Sequence, residues 1–336
     1  MILLKTWESV VKQVQKFEEN KEDVVQNTNH LVMDYGNGKM AGGDNTSKIN
    51  LGDLTDWSQT QLYSLLGMPG RYFKKLYENK DFTLVADHVN HHLNGQGSRD
   101  LFIRTRKFDE QSAYIRGVLS DRYTVFDNID LIEILDKIFG NTDKDYNIEY
   151  FLMDETVFHL RLTFPDLTAD VGQNIEGEQD LITAGVHISN SEVGKRRVMV
   201  EPMAFRLICS NGLMGWTSSG DVGFKQRHIW LNKDEMYNRV AEGVGSALKA
   251  SSGVIDLVKM ARSKPVENPL NVIDEIIKDN NFTKQDGELV RSAFLMEPEN
   301  TVYGLSNAFT RAAKDMVGDK MVEFENLGGK VLVKNI

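Results

Sequence analysis

The stretch Ser189-Asn190-Ser191-Glu192-Val193-Gly194-Lys195-Arg196-Arg197 carries the densest chemical signal in the chain. Small polar and acidic residues interrupt a strand-like run, a glycine tolerant of a left-handed backbone follows, and three cations arrive together. Such a turn can present backbone N–H groups and positive charge to a phosphate. It also reads as a solvated hairpin whose cations keep a sheet edge soluble. Cations recur at alternate positions of other strand-like runs: Arg104 and Arg106, then Arg161, then Arg206. Lys107, Arg116, Arg122, Lys225, Arg227 and His228 join them if those strands are neighbours. Between residues 181 and 230, six Lys/Arg stand against three Asp/Glu. The aromatics Tyr114, Tyr123, Trp216 and Trp230 are interleaved with them. A cation-lined groove with aromatic platforms is how single strands of nucleic acid are held without sequence preference. The residues expected to meet phosphates are Arg104, Arg106, Arg116, Arg122, Lys195, Arg196, Arg197, Arg206, Lys225 and Arg227, with Tyr123 or Trp216 stacking bases. The same residues also fit an ordinary exposed sheet face with aromatics in the core.

Other chemistry is weaker. Asp87-His88 with His91 and His92 has the i, i+3, i+4 spacing of zinc ligands on a helix. The reading as a polar helix end before Asn94-Gly95 outweighs it, and no metal or cofactor is expected. Cys209, the single cysteine, sits in the apolar run FRLICSNG and reads as a buried thiol; alone it excludes an intramolecular disulfide framework. There is no Walker loop, no His-Glu-x-x-His and no Gly-x-Ser-x-Gly elbow. Gly36-Asn37-Gly38 and Gly42-Gly43 lack the strand–turn–helix setting of a dinucleotide site. The 336 residues include 49 acidic and 39 basic side chains, a formal charge of −10. That balance excludes a uniformly basic coat but not a local basic groove. No apolar run approaches a membrane span, and MILLKTWESVV does not read as a secretory signal. The expectation is a cytoplasmic protein without membrane contact.

The elements that must position these residues fall into three regions. Residues 1–97 read as a mixed, helical N-terminal part. Trp7 to Asn20 forms an apolar helical stripe with Thr6 as its cap, and 31–53 is turn-rich. Ser58 and Gln61 have capping-box spacing ahead of Leu62, Leu65 and Leu66, and a helix–break–helix follows around Gly67-Met68-Pro69-Gly70. Residues 98–230 are short runs rich in Val, Ile, Phe and Tyr with period-two alternation, interrupted by one amphipathic helix from Asn128 to Phe139. They predict a central, mostly antiparallel sheet with a helix on one face, hence α+β. Residues 231–336 turn helical. Asp234 to Arg262 is a long helix with candidate bends at Gly243, Gly245 and Ser251-Ser252-Gly253. Asn268-Pro269 starts another, Thr283 caps the next, and Asn300 or Thr301 opens the last.

Four segments, in order, resemble an uncharacterised family of phage- and plasmid-like proteins: LLGMPGRYFKKL (65–76), GVLSDRYTVFDN (117–128), GVHISNSEVGKRRVMVEPMAFRLICSNGLM (185–214) and ENTVYGLSNAFTRAA (299–313). The family carries no established activity to transfer. The resemblance implies a role in the DNA metabolism of a mobile element or in host takeover. More distantly, a strand pair, a Ser-Asp-Arg-Tyr turn, a helix and a strand meander look like the core of phage single-strand annealing proteins. That likeness implies a homo-oligomer that holds single-stranded DNA in a basic groove and aligns complementary strands without covalent catalysis. A second function class is an acidic adaptor or inhibitor that binds a host protein. A third, a nuclease, lacks an evident metal-binding carboxylate constellation.

Overall fold

Local signals fix the first helix: Thr6 Oγ1 accepts the Ser9 N–H at 3.3 Å and opens α1 (Trp7–Glu18), which buries Val10 and Val14. The computed structural model describes residues 6–43, 48–95, 97–108, 113–139, 145–207, 211–214, 223–229, 232–316 and 319–334. After α1 come β1 (Lys21–Asn27), β2 (Val32–Met33), β3 (Met40–Gly43) and β4 (Lys48–Leu54). Three helices follow, α2 (Asp56–Leu65), α3 (Gly70–Glu78) and α4 (Phe82–Gly95), and then β5 (Asp100–Lys107) and β6 (Ala113–Ser120). These strands make one six-stranded sheet in the order β1-β5-β6-β4-β3-β2. Neighbours are antiparallel except β4 and β6, which run parallel because α2–α4 and β5 intervene between them. Leu62, Tyr63, Phe73, Val85 and Val89 pack on Leu101, Ile103 and Ile115. The helix–break–helix is thus core. The cap of α2 is Thr55, whose Oγ1 accepts from the Ser58 N–H, rather than Ser58 itself.

α5 (Asn128–Phe139) leads into the second sheet: β7 (Asn147–Met153), β8 (Phe158–Gln173), β9 (Gln179–Asn190), β10 (Val198–Arg206), β11 (Asn211–Met214) and β12 (Phe224–Gln226). The order is β11-β10-β9-β8-β7, with β12 also pairing β10, and every pairing is antiparallel. The single sheet expected over 98–230 is therefore divided. Alternation tells which residues share a face but not which strand lies alongside. β5 pairs β1, from Lys21 opposite Arg106 to Asn27 opposite Asp100. The fold remains α+β.

α6 (Lys233–Arg262) is one 30-residue helix that spans two cores. Its first half packs with α1 and α5 on Leu160, Val186 and Ile188. Its second half packs with α7 (Pro269–Asp279), α8 (Lys284–Met296), α9 (Val302–Ala312) and α10 (Asp319–Lys334) on Ile182 and Ala184. Pro269 at the start of α7, the Thr283–Asp286 capping box of α8 and the Thr301 cap of α9 fall where the sequence places them. α10 lies beyond the helix that the sequence predicts as the last. Among the described residues, no helix is long and apolar enough to cross a membrane.

Candidate nucleic-acid interface

The 189–197 turn is built from both sheets. β5 and β6 shift register beside Arg104: Arg104 faces Gly117, Thr105 faces Ile115, and Arg116 is the extra residue of a bulge. Bulges re-aim side chains, and here Arg116 meets the turn. Gly117 permits the approach, since a Cβ there would lie 3.0 Å from Val193 Cβ. The Glu192 carboxylate, 2% exposed, accepts from Lys21 Nζ at 2.7 Å, Arg116 Nη1 at 2.9 Å and the Asn128 N–H at 3.0 Å. Burial alone would raise its pKa, but Lys21 and Arg116 outweigh burial and hold it below the usual carboxylate range. The Glu192 carbonyl accepts from Arg104 Nη1 at 2.8 Å and from the Tyr123 hydroxyl at 2.7 Å. The Val193 carbonyl accepts from Trp57 Nε1 at 2.9 Å and Gln61 Nε2 at 2.8 Å, so α2 also grips the turn.

Gly194 divides this anchored half from an exposed one. Its φ is +73°, and a Cβ would come within 2.9 Å of Leu119 Cδ2. The Lys195 N–H then donates to Ser191 Oγ at 2.9 Å, which closes the turn. Lys195 and Arg197 are exposed and Arg196 is half-buried. They line a groove of about 650 Å³ together with Tyr123, Lys225, Arg227, His228 and the apolar Leu119, Met199 and Ile229. Among the described residues, five cations line it and no carboxylate does. Lys225 is steadied from behind by Glu201 at 3.2 Å. Glu201 lies 3.7 Å from His187, whose ring stacks on His159 with 3.0 Å between Nε2 and Nδ1.

Six of the residues expected in a binding site thus meet in one groove: Tyr123, Lys195, Arg196, Arg197, Lys225 and Arg227. Arg122 is exposed in an adjoining hollow with Arg99, and Ser120 lines both. The expected solvated face does not hold for the strand arginines. Arg104, Arg106, Arg116 and Arg206 are 1%, 6%, 0% and 3% exposed. Arg104 forks onto Asp23 and Asp127, at distances of 2.6 to 3.0 Å. Arg106 pairs with Glu155 at 2.9 Å and donates to the Phe17 and Glu19 carbonyls. Arg206 joins Asp180 and Glu297 and ties β10 to the C-terminal helices. Arg161 is likewise buried, against Glu325. Their carboxylate partners are brought in by the chain itself.

Tyr123 does not stand clear as a platform: its ring already stacks with Phe102 at 6.0 Å and with His228 at 5.2 Å. Trp216, Trp230 and Cys209 lie outside the described residues. His88 packs its ring edge-on to Phe73 at 5.0 Å, and the described residues hold no group of three His, Cys, Asp or Glu placed to share a metal. Trp57 and Gln61, which set the turn, carry no sequence signal beyond their helix.

Neither the curated proteins nor the solved structures yield a match to this chain. A family model does match, over residues 116–314, from the bulge arginine to the end of α9. It covers well over half of the chain, including the turn, the groove and most of the helical part, and the chain belongs to the family described as "Domain of unknown function (DUF932)".

Proposed function

We propose that the chain binds single-stranded DNA along the groove beside Lys195, Arg196 and Arg197, without covalent catalysis. The observation that carries this reading is the local charge. Among the described residues, five cations line one concave surface with no carboxylate between them, on a protein whose formal charge is −10. Binding follows local potential rather than net charge. Leu119, Met199 and Ile229 give the groove an apolar floor for bases. Self-association that aligns two strands, a phage or plasmid setting and a cytoplasmic location come with the family resemblance and belong to the same proposal.

The test is a titration of the full chain against labelled single-stranded DNA, duplex DNA and single-stranded RNA at two salt concentrations. Light scattering on the same samples gives the mass. Tightest binding to single-stranded DNA, with marked salt dependence, is expected. The triple variant Lys195→Ala/Arg196→Ala/Arg197→Ala should bind more weakly. Each phosphate no longer neutralised lowers the slope of log affinity against log salt by about 0.7, so up to about 2 for three. A folded triple variant with unchanged affinity and slope removes this groove from DNA binding.

A further inference from the structure

Buried polar atoms are almost always hydrogen-bonded, and an orphan calls for a cause. His228 carries two. The residue is only 4% exposed, and neither Nδ1 nor Nε2 has a hydrogen-bond partner among the described residues. It nonetheless forms part of the groove lining, between the exposed Arg227 and Ile229. Its ring lies flat on Tyr123, with centroids 5.2 Å apart and planes within 10°. Its carbonyl accepts the Thr124 N–H at 2.8 Å, and Ile229 makes an isolated bridge to Tyr123. Stacking and main chain therefore fix the ring. Burial pushes the imidazole down to about 4, against the opposing pull of the Thr124 backbone and Asp127. The ring is neutral at pH 7 and offers one N–H donor and one bare acceptor.

That pair of functions is poorly matched to phosphate. A phosphodiester only accepts, so it leaves the imidazole acceptor orphaned. The hydrogen-bonding edge of an unstacked nucleobase carries both donors and acceptors. Resting on the reading above, we propose that His228 is the base-recognising residue of the groove. A nucleobase edge hydrogen-bonds to its ring nitrogens while Lys195, Arg196 and Arg197 take the flanking phosphates. Both nitrogens are closed to solvent in the unliganded chain. The guest reaches them once the exposed side chains of Arg227 and Ile229, on either side of the ring, move aside. The groove then distinguishes a strand bearing bases from a bare polyanion.

The experiment measures anisotropy of a labelled thymidine oligomer of about twelve nucleotides, within the site sizes of single-strand binding folds. An abasic oligomer with the same backbone is the comparison. The wild-type chain should favour the base-bearing strand about tenfold, the scale of one buried hydrogen-bonding group satisfied. His228→Phe should abolish that preference and leave the salt slope unchanged. His228→Gln, which keeps a donor and an acceptor, should retain part of it. Nitrogen NMR of the wild-type chain supplies a readout that needs no variant: both His228 ring resonances should move with the thymidine oligomer and stay with the abasic one. Equal, salt-dependent binding of the two oligomers by the wild-type chain would overturn the base recognition and leave the phosphate groove standing. Preference undiminished in His228→Phe, or unmoved ring resonances, would overturn it as well. Binding to neither oligomer would sink the DNA reading and this inference with it.

Discussion

Replacing Glu192 with glutamine tests whether charge holds the turn in place. The substitution keeps the shape and one acceptor oxygen and removes the charge. Its two cationic partners fare differently. Lys21 keeps its pairing with Glu18. Arg116, wholly buried, keeps Glu155 at 3.4 Å, while its Nε and Nη2 have no hydrogen-bond partner among the described residues. Removing one partner of a buried ion pair costs about 3–5 kcal/mol, because the other charge is stranded. The remaining carboxylates place Glu192→Gln at the lower end, about 3 kcal/mol. With a urea m-value of about 3 kcal/mol/M, the unfolding midpoint should fall by about 1 M. Acid supplies a second signature. The folded carboxylate titrates below its unfolded value, so its stabilisation is present above about pH 4.5 and is lost as pH falls through the folded pKa. The gap between wild type and variant should therefore narrow in acid, where protonated Glu192 resembles glutamine. A loss under about 0.5 kcal/mol at neutral pH, or a gap that persists in strong acid, would refute the anchoring argument.

Two further outcomes are expected. Gly194→Ala should cost about 1–2 kcal/mol, because the position has φ +73° and Leu119 Cδ2 stands 2.9 Å from the added methyl; an unchanged urea midpoint would show that the turn adjusts freely. His187 and His228 are held down by burial, to about 3 and about 4, so the unfolded chain takes up protons near pH 6.5 while the folded chain does not. Stability should be full above that value and fall between about pH 6.5 and 4, by up to about 3 kcal/mol for His228 alone, and His228→Phe should lose its share of the slope in a pH series of urea melts.

What is legible in the sequence is local. Thr6, Thr283 and Thr301 cap helices through atoms three residues away, and all three appear as caps. The Gly194 turn is legible for the same reason, since its polar anchor, glycine and cations are consecutive. α10 escapes because Gly328-Gly329 lowers its helical propensity, whereas in the fold Gly328 sits close against α9, its carbonyl accepting from Ser306 at 2.9 Å. The strand arginines mislead because alternation says which face a residue takes and nothing of what covers it. Arg104 meets the Glu192 carbonyl across 88 positions, Arg161 meets Glu325 across 164, and no local pattern encodes either meeting. The stack on Tyr123 is hidden likewise, because Phe102 and His228 come from distant parts of the chain.

The buried arginines nevertheless bear on the groove. A buried ion pair is weak evidence for net stability, since desolvation offsets most of its attraction. Its forked geometry still fixes orientation. Arg104 grips Asp23 of β1 and Asp127 ahead of α5 with the same guanidinium that donates to the turn. Arg116 grips the Glu192 side chain from the bulge, and α2 holds the Val193 carbonyl. The side-chain grip on the turn's carbonyls reaches Val193, and the Lys195 N–H bond to Ser191 Oγ carries the fixed backbone past Gly194 to the groove cations. Lys195, Arg196 and Arg197 are presented from a fixed base and need not be ordered from the backbone up when a polyanion arrives. The entropy of ordering then falls on three side chains alone, which favours binding by lowering its cost. On this argument Arg104 and Arg116 belong to the site as positioning residues. Replacing either with a neutral side chain should weaken phosphate binding by displacing the turn, although the five groove cations remain in the sequence.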